Sequence, residues 1–191
     1  MKFRLILPIL LSLLITSCSE KEKNITFNEI NSSKIITSKD LKVSDSGLSH
    51  ESVIIKTVKG NIVLKLYPND APNTVTRFLQ LVQEGFYDGL KFHRVHPKFL
   101  VQTGDPTGTG NGGSGEKLKS EFNKLQHIKG TVAMARKPED VDSADSQFYI
   151  ALTTLSHLDL NYTVFGQVID GLDVLDRINL NDKIITISVQ L

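Results

Sequence analysis

The sequence predicts a mainly β domain, built as a barrel or a sandwich with few helices. Short apolar segments separated by Gly, Asp and Asn recur over residues 52–191, and only one segment has a strong helical period. No internal repeat is present. The chain of 191 residues suits one such domain with additions, because domains most often hold about 100–150 residues.

The first two predicted strands form a hairpin. Residues 52–56 and 61–66 flank a turn around Lys59-Gly60-Asn61. In the second segment the apolar residues at every other position fall on one face, which is typical of a half-buried strand. Six further strands are predicted, over residues 91–95, 99–102, 131–135, 148–152, 163–169 and 184–191.

The strongest helical signal covers residues 74–84. Its apolar residues recur at i, i+3, i+4 and i+7, and the segment ends at Gly85, which together predict an amphipathic helix. A second, short helix is predicted over residues 172–178, after Gly171. The apolar residues of the first helix are Val75, Phe78, Leu79 and Val82.

The N-terminus predicts export from the cytoplasm. Lys2 and Arg4 form a positive start, and an apolar run over residues 5–15 follows. This run is too short for a transmembrane helix, which needs about 20 residues, and is typical of a secretory signal. It ends in Ile15-Thr16-Ser17-Cys18, which resembles the lipobox of bacterial lipoproteins.

The lipobox resemblance implies that residues 1–17 are removed and that the thiol of Cys18 carries a lipid anchor. An ordinary signal peptide followed by a free thiol is the alternative. Ser19 stands where inner-membrane lipoproteins often carry Asp, so we expect the outer membrane, with the protein facing the periplasm. Residues 19–50 are polar and without a sustained period. We interpret them as a flexible tether, or as a small accessory element, before one folded domain over residues 51–191.

The balance of charges argues against a nucleic-acid-binding protein. The chain has 22 basic and 21 acidic residues and no basic stripe, whereas nucleic-acid-binding domains usually carry one. Cys18 is the single cysteine, so an intramolecular disulfide is excluded.

Three patterns that suggest other chemistry lack the context which that chemistry needs. Residues 108–113 fit the glycine spacing of a dinucleotide-binding loop, but no helix opens from them. His93 and His96 have no Cys or carboxylate at a spacing that completes a metal site. Residues 146–159 contain the letters of a serine hydrolase triad without a strand-turn-helix elbow around the serine. We therefore interpret the glycine run as a tight turn and predict no nucleotide, metal or other cofactor.

Five separated segments, in one order along the chain, closely resemble motifs of the cyclophilin family of peptidyl-prolyl isomerases. One such segment would be a weak signal, whereas five in this order are a specific one. The resemblance runs from about residue 53 to residue 191. The segments are FHRV at 92–95, FLVQTGDP at 99–106, GTVAMA at 130–135, SQFYI at 146–150, and HLD at 157–159 with YTVFG at 162–166.

The family resemblance implies a closed eight-stranded antiparallel barrel capped by two α-helices, with a packed interior and a substrate groove on the outside. It implies catalysis of cis/trans isomerisation at peptide bonds before proline, with proline-containing polypeptides, here folding exported proteins, as partners. We expect a monomer without a cofactor. The alternative function is a binding module or holdase that keeps proline segments in the same groove with little turnover.

The resemblance also implies roles for individual residues. Arg94 is the expected catalytic arginine, Gln102 holds it and bonds the substrate backbone, and Phe99 is a wall of the proline pocket. His157 stands where eukaryotic members often carry Trp, and Tyr162 where they carry His. For each apolar residue of the set, plain core packing is the alternative. Further pocket and groove positions are implied for Leu100, Ala135, Arg136, Gln147, Tyr149, His157, Leu158 and Tyr162, with the Arg136 backbone pairing an extended peptide.

An arginine suits this reaction because of how the X–Pro bond rotates. Partial double-bond character gives the bond a rotational barrier of about 18–20 kcal/mol. The twisted transition state has a pyramidal nitrogen that can accept a hydrogen bond, whereas the nitrogen of the planar ground state cannot. A guanidinium, which stays charged at any working pH, therefore stabilises the transition state selectively.

Overall fold

The structure, a computed structural model, describes residues 52–190, and within them it contains eight strands, two α-helices and one 3₁₀ turn. The predicted signal peptide, Cys18 and the tether lie outside the described residues. Between residues 52 and 190 no helix is both long and apolar enough to cross a membrane. The strands are β1 (Ser52–Thr57), β2 (Gly60–Leu66), β3 (Arg94–His96), β4 (Leu100–Thr103), β5 (Thr131–Met134), β6 (Phe148–Ala151), β7 (Val164–Asp170) and β8 (Ile184–Gln190), the helices are α1 (Pro72–Gln83) and α2 (Leu172–Leu175), and the 3₁₀ turn is Ser156–Leu158.

The prediction of a mainly β fold with two helices is confirmed. Every predicted strand forms, and most bounds differ by one or two residues. The largest shift is at β3, which begins at Arg94 because the chain before it makes consecutive turns over residues 84–89 and a single bridge at Lys91. The hairpin turn lies at Val58 and Lys59, slightly earlier than predicted. Helix α2 is shorter than predicted.

The strands form one sheet in the order β3-β4-β6-β5-β7-β2-β1-β8, and every neighbouring pair is antiparallel. The prediction of a closed barrel is wrong, because the edge strands β3 and β8 do not pair with each other in the described part of the chain. The chain segments next to these two edge strands form turns and isolated hydrogen bonds, and no strand ladder joins β3 to β8. The Gly89 N–H donates to the Ile184 carbonyl and the Phe92 N–H to the Asp182 carbonyl, both at 2.9 Å. The sheet is therefore an open half-barrel.

One face of the sheet packs with α1 around the interior core. Because side chains alternate across a strand, a regular strand directs every second residue into this core, as β6 does with Phe148 and Ile150. Aromatic rings meet at right angles inside it. The ring centroids of Phe78 and Phe148 lie 5.6 Å apart at an interplanar angle of 89°, and such pairs contribute about 0.5–1.5 kcal/mol beyond burial. Large, fully buried members of the core include Tyr87, Phe92, Phe148, Phe165, Ile55, Ile62, Leu64 and Ile184.

The opposite face of four adjacent strands carries a second, smaller apolar cluster, which we call the outer cluster. Its buried members are Leu100 on β4, Ala133 on β5, Tyr149 on β6 and Val164 on β7. Each of them is followed directly in sequence by a member of the interior core. The same strands therefore supply both the core and an apolar surface outside it.

Helix α1 begins two residues earlier than predicted. Pro72 lies in the first turn, where its missing N–H and restricted φ are favourable. The residue before it, Ala71, provides no side-chain cap. The carboxylate of Glu121 caps the helix from a distant part of the chain, since it accepts the backbone N–H groups of Asn73 at 3.0 Å and Thr74 at 2.8 Å. These bonds satisfy donors that the first helical turn leaves unpaired, and they place a negative charge at the positive end of the helix dipole.

The same hydrogen bonds determine the charge of Glu121. Partial burial alone would raise the pKa of its carboxyl, but the bonds from Asn73 and Thr74 outweigh burial and hold the pKa below its usual value of 4.5. Because the pKa is lower in the folded state than in the unfolded state, the ionised carboxylate stabilises the fold fully above about pH 4.5. This contribution is lost as the pH falls through the folded-state pKa.

We expect Glu121→Gln to lower the free energy of unfolding by about 1–3 kcal/mol at neutral pH, because the amide retains one acceptor oxygen and loses the charge. Urea unfolding followed by circular dichroism measures the change. The matched control is Glu139→Gln at an exposed position, which should cost less than about 0.5 kcal/mol. The difference between the wild type and Glu121→Gln should shrink below about pH 4.5, and a difference that persists undiminished in stronger acid would contradict this role.

Candidate active site

One row of paired residues crosses five neighbouring strands. Arg94 on β3 pairs with Gln102 on β4, and Gln102 pairs with Tyr149 on β6. Tyr149 pairs in turn with Ala133 on β5, which pairs with Val164 on β7. Residues directly opposite each other in an antiparallel sheet project to the same face. The row therefore places an exposed arginine and a glutamine beside the outer cluster.

A chain of side-chain amides holds the guanidinium of Arg94. Its Nη1 donates to Gln102 Oε1 at 3.2 Å, and Gln102 Nε2 donates to Gln147 Oε1 at 2.8 Å. Gln147 Nε2 donates to the carbonyl oxygens of Gly110 and Gly112 at 2.9 and 2.8 Å. The glycine run is thus the anchor of this chain. Because a guanidinium has five N–H donors, Arg94 retains donors for a ligand.

His93 adds no positive charge beside Arg94. Its side chain is half-buried, and neither ring nitrogen has a hydrogen-bond partner among residues 52–190. Burial lowers the pKa of His93 below 6.5, and the carboxylate of Asp105 opposes this shift only in part. The imidazole is therefore neutral at pH 7, and the guanidinium carries the charge of this pair.

The predicted apolar pocket residues come together on the outer face. Leu100 and Tyr149 are buried, each with 3% of its surface exposed. Other predicted residues pack against them but stay half-buried, which leaves apolar surface for a ligand. These half-buried residues are Phe99, Ala135, Leu158 and Tyr162.

Two imidazoles flank the ring of Phe99. His157, at the predicted groove position, stacks on it with ring centroids 6.1 Å apart and an interplanar angle of 11°. His96 meets the same ring nearly at a right angle, at 5.4 Å and 71°. Both histidines are exposed. Phe99 is thus fixed from two sides at the rim of the apolar surface.

The side chain of Arg136 is occupied by contacts within the domain. Its guanidinium carbon lies 4.7 Å from the ring centroid of Tyr162, and its Nε donates to the Asn161 carbonyl at 3.0 Å. The first contact is a cation–π interaction, which contributes about 0.5–1 kcal/mol at an exposed site. Among residues 52–190 no hydrogen bond uses the backbone N–H or carbonyl of Arg136. These backbone groups can therefore pair with an extended ligand.

The residues of the hydrolase-like pattern do not form a triad. Ser146 is fully buried, and its hydroxyl donates to the Gly104 carbonyl at 2.7 Å. Gly104 has a φ of +88°, and a Cβ there would collide with the carbonyl oxygen of Ser146, so this close approach requires glycine. Asp159 contacts His127, while His157 stacks on Phe99. Ser146 therefore joins the end of β4 to the start of β6.

Sequence reasoning missed several residues of this region, among them Leu125, which packs against the outer cluster. Ala133 and Val164 complete the outer cluster, and alternation with interior residues on β5 and β7 is the signal that could have indicated them. His127 lies behind Tyr149, with its Nε2 2.9 Å from the hydroxyl. No local pattern indicates His127, because its partners are distant in sequence.

Comparison with known proteins identifies relatives with one shared description. A model of the family described as "Cyclophilin type peptidyl-prolyl cis-trans isomerase/CLD" matches residues 52–186. The peptidyl-prolyl cis-trans isomerase of Synechococcus elongatus is 44% identical over 138 residues, which cover 71% of this chain and 94% of the relative. A peptidyl-prolyl cis-trans isomerase of Helicobacter pylori is 46% identical over 134 residues, covering 68% of this chain and 81% of the relative.

Solved structures show the same likeness. The crystal structure of a Cryptosporidium parvum cyclophilin-type peptidyl-prolyl cis-trans isomerase matches with a TM-score of 0.70 and 29% identity, covering 74% of this chain and 98% of that one. A second structure of that protein, in the presence of the dipeptide Ala-Pro, matches with a TM-score of 0.69 and 29% identity, covering 73% and 99%.

We expect Gln102→Leu to release the Arg94 side chain without unfolding the domain, because the substitution removes the bond that holds the guanidinium. The order parameter of the Arg94 Nε–Hε group, measured by NMR relaxation, should fall below about 0.6. Gln83→Leu is the matched control, since Gln83 is an exposed residue at the end of α1, and it should leave that order parameter unchanged. An unaltered value in Gln102→Leu would show that the amide chain does not position the guanidinium.

Proposed function

The chain belongs to the cyclophilin-type peptidyl-prolyl cis-trans isomerase family, and on this premise we propose that Arg94 stabilises the rotating X–Pro bond of a peptide bound over the outer cluster. Family membership and the isomerase relatives establish the activity as peptidyl-prolyl cis-trans isomerisation. The observation that carries the residue assignment is the cross-strand row, which aligns Arg94 and Gln102 with Tyr149 on one face.

The hydrogen bond from Arg94 accounts for part of the rate enhancement. A hydrogen bond that involves a charged group contributes about 1.5–3 kcal/mol net, which corresponds to about 10- to 150-fold in rate. Typical enzymes accelerate reactions by about 10⁶-fold or more. The apolar surface beside Arg94 must therefore contribute as well.

The apolar surface acts on the ground state. The planar amide is the more dipolar form, so removal from water disfavours it relative to the twisted form. In this proposal Phe99, Leu100, Tyr149 and Leu158 hold the proline ring while the preceding carbonyl rotates, which adds a positional contribution. The Ala-Pro dipeptide present with the similar Cryptosporidium parvum protein supports a proline-containing peptide as the ligand of this surface.

The remaining groove residues align the peptide. Gln102 bonds the substrate backbone while it holds Arg94, and the free backbone groups of Arg136 pair with the extended chain. Ala135, Gln147, His157 and Tyr162 line the groove on either side. The reaction forms no covalent intermediate, because the bond rotates without being broken.

We expect Arg94→Lys to lower kcat/KM by at least about 10-fold, because an ammonium cannot keep the bond to Gln102 and also donate to the prolyl nitrogen. Magnetisation-exchange NMR on an X–Pro peptide, with the full-length protein in detergent, measures the rate. Arg177→Lys is the matched control, since Arg177 forms an exposed pair with Asp173 at 2.9 Å.

Arg94→Ala should lose more activity than Arg94→Lys, while both variants keep the wild-type unfolding midpoint. Wild-type turnover in a folded Arg94→Lys protein would refute the assignment. A protein that binds the peptide tightly without accelerating exchange would instead support the holdase function.

We also propose that this isomerase is a lipoprotein of the cell envelope that assists the folding of exported proteins. The positive N-terminus, the short apolar run and the small residues before Cys18 support this proposal. Ser19 supports an outer-membrane location facing the periplasm, for a cell with two membranes. A domain on a tether at that surface would meet unfolded chains as they arrive.

We expect Cys18→Ser to abolish lipid attachment and leave isomerase activity unchanged, because the thiol is the acceptor of the lipid. Metabolic labelling with radioactive palmitate and detergent-phase partitioning of the expressed full-length chain measure the effect. Ser17→Thr, which keeps a small residue before the cysteine, should still be labelled. An unlabelled wild-type protein with a free N-terminus would establish the ordinary signal peptide instead.

A further inference from the structure

His127 lies between a carboxylate and a tyrosine hydroxyl behind the proline pocket. Its side chain is fully buried. Nδ1 is 2.8 Å from Asp159 Oδ1, and Nε2 is 2.9 Å from the Tyr149 hydroxyl. The backbone N–H of His127 donates to the same Asp159 oxygen at 2.8 Å. Asp159, His127 and Tyr149, which are distant from one another in sequence, are therefore linked in one continuous series of hydrogen bonds.

The charge of the Asp159 carboxylate determines which atom donates in its hydrogen bond with His127. The backbone and side-chain hydrogen bonds from His127 lower the pKa of Asp159, so its carboxylate is ionised and can only accept. Nδ1 of His127 therefore carries the hydrogen of this bond, and Nε2 lies within hydrogen-bond distance of the Tyr149 hydroxyl. Burial raises the pKa of Tyr149, so its hydroxyl stays protonated and forms a hydrogen bond with Nε2. Both ring nitrogens of His127 thereby have a partner.

The imidazole also packs against two aromatic walls of the groove. Its ring lies 6.0 Å from the ring of Tyr149 at an interplanar angle of 14°, and 6.4 Å from the ring of Tyr162 at 82°. Tyr149 and Tyr162 meet each other nearly at a right angle, at 5.7 Å and 85°. Asp159 directly follows Leu158, another predicted wall. His127 thus contacts two predicted pocket residues, Tyr149 and Tyr162. Its hydrogen-bond partner Asp159 is adjacent in sequence to a third, Leu158.

We propose that His127 is a positioning residue for the isomerase, which holds the ring of Tyr149 in the proline pocket through its hydroxyl and takes its own orientation from Asp159. A phenylalanine at position 149 would provide the same ring without this restraint. The proposal rests on the proposed function, in which Tyr149 is a wall of the pocket. His127 does not reach the ligand and acts through the tyrosine.

The restraint acts on ligand binding more than on bond rotation. Tyr149→Phe would keep the apolar ring and its effect on the ground state, and would lose only the hydroxyl bond that fixes the ring against the proline. The proline ring itself does not rotate, so this restraint is the same in the planar and the twisted states of the peptide. Loss of an interaction that both states share raises KM and leaves kcat unchanged. The chain from Asp159 to Tyr149 should therefore affect KM, whereas Arg94 should affect kcat/KM through the transition state.

Two substitutions break the same hydrogen bond from opposite ends. Tyr149→Phe removes the hydroxyl and keeps the ring. His127→Asn keeps a donor near the position of Nδ1 and loses the acceptor at Nε2. Each should raise KM by about 2- to 10-fold, as expected for one neutral hydrogen bond. The double variant should raise KM no further than either single variant, because both remove one interaction.

Steady-state exchange kinetics of the full-length protein, together with an NMR titration of an Ala-Pro-containing peptide, test the proposal. Tyr67→Phe is the matched control, since Tyr67 is a half-buried tyrosine outside the predicted site, and it should leave KM and Kd unchanged. If His127→Asn fails to fold, the comparison of Tyr149→Phe with Tyr67→Phe decides.

Unchanged KM and Kd in Tyr149→Phe would overturn the proposal, and so would a fall in kcat at constant KM. Effects of the two substitutions that multiply in the double variant would overturn it as well. If turnover proves insensitive to Arg94→Ala, the proposed function fails, while the peptide Kd of Tyr149→Phe still decides the role of His127.

Discussion

The register of strands β3, β4, β6, β5 and β7 determines which side chains lie on the face that carries the outer cluster. In this register Arg94 lies at one end of the row and Val164 at the other, with Tyr149 between them. A shift of one residue would turn every groove side chain of the shifted strand toward the interior. The interior core opposes such a shift, because Phe148 and Ile150 would then have to face water. The packing of the core therefore holds the groove in place.

Local patterns in the sequence were sufficient for the strands and for α1. A period of two identified β2, and apolar residues such as Val75 and Phe78 at helical spacing identified α1. The groove was less accessible to such reasoning. Phe148 and Tyr149 are adjacent and both apolar in character, so periodicity alone does not say which of them faces outward. Only the family resemblance placed Tyr149 in the pocket, and the pairing of Tyr149 with Gln102 supports that placement.

Features that depend on residues distant in sequence were not predictable in this way. The sheet stays open because residues 91–93, where a strand was expected, form only a single bridge at Lys91, and isolated hydrogen bonds there replace a ladder. Glu121 caps α1 although it follows β4 in the sequence, 47 residues after Thr74, and no local capping pattern indicates it. His127 likewise depends on Asp159 and Tyr149, whose proximity results from the fold and leaves no mark in the sequence around His127.

The alternation of interior and outer side chains along the same strands has a consequence for how this domain can diverge. Phe148 lies in the interior core, and its neighbour in sequence, Tyr149, lies in the outer cluster and contributes to ligand recognition in the proposed function. Selection for a new client preference can therefore act on one set of positions while selection against unfolding acts on the other. A lineage can change its clients by replacing outward residues and keep its scaffold throughout.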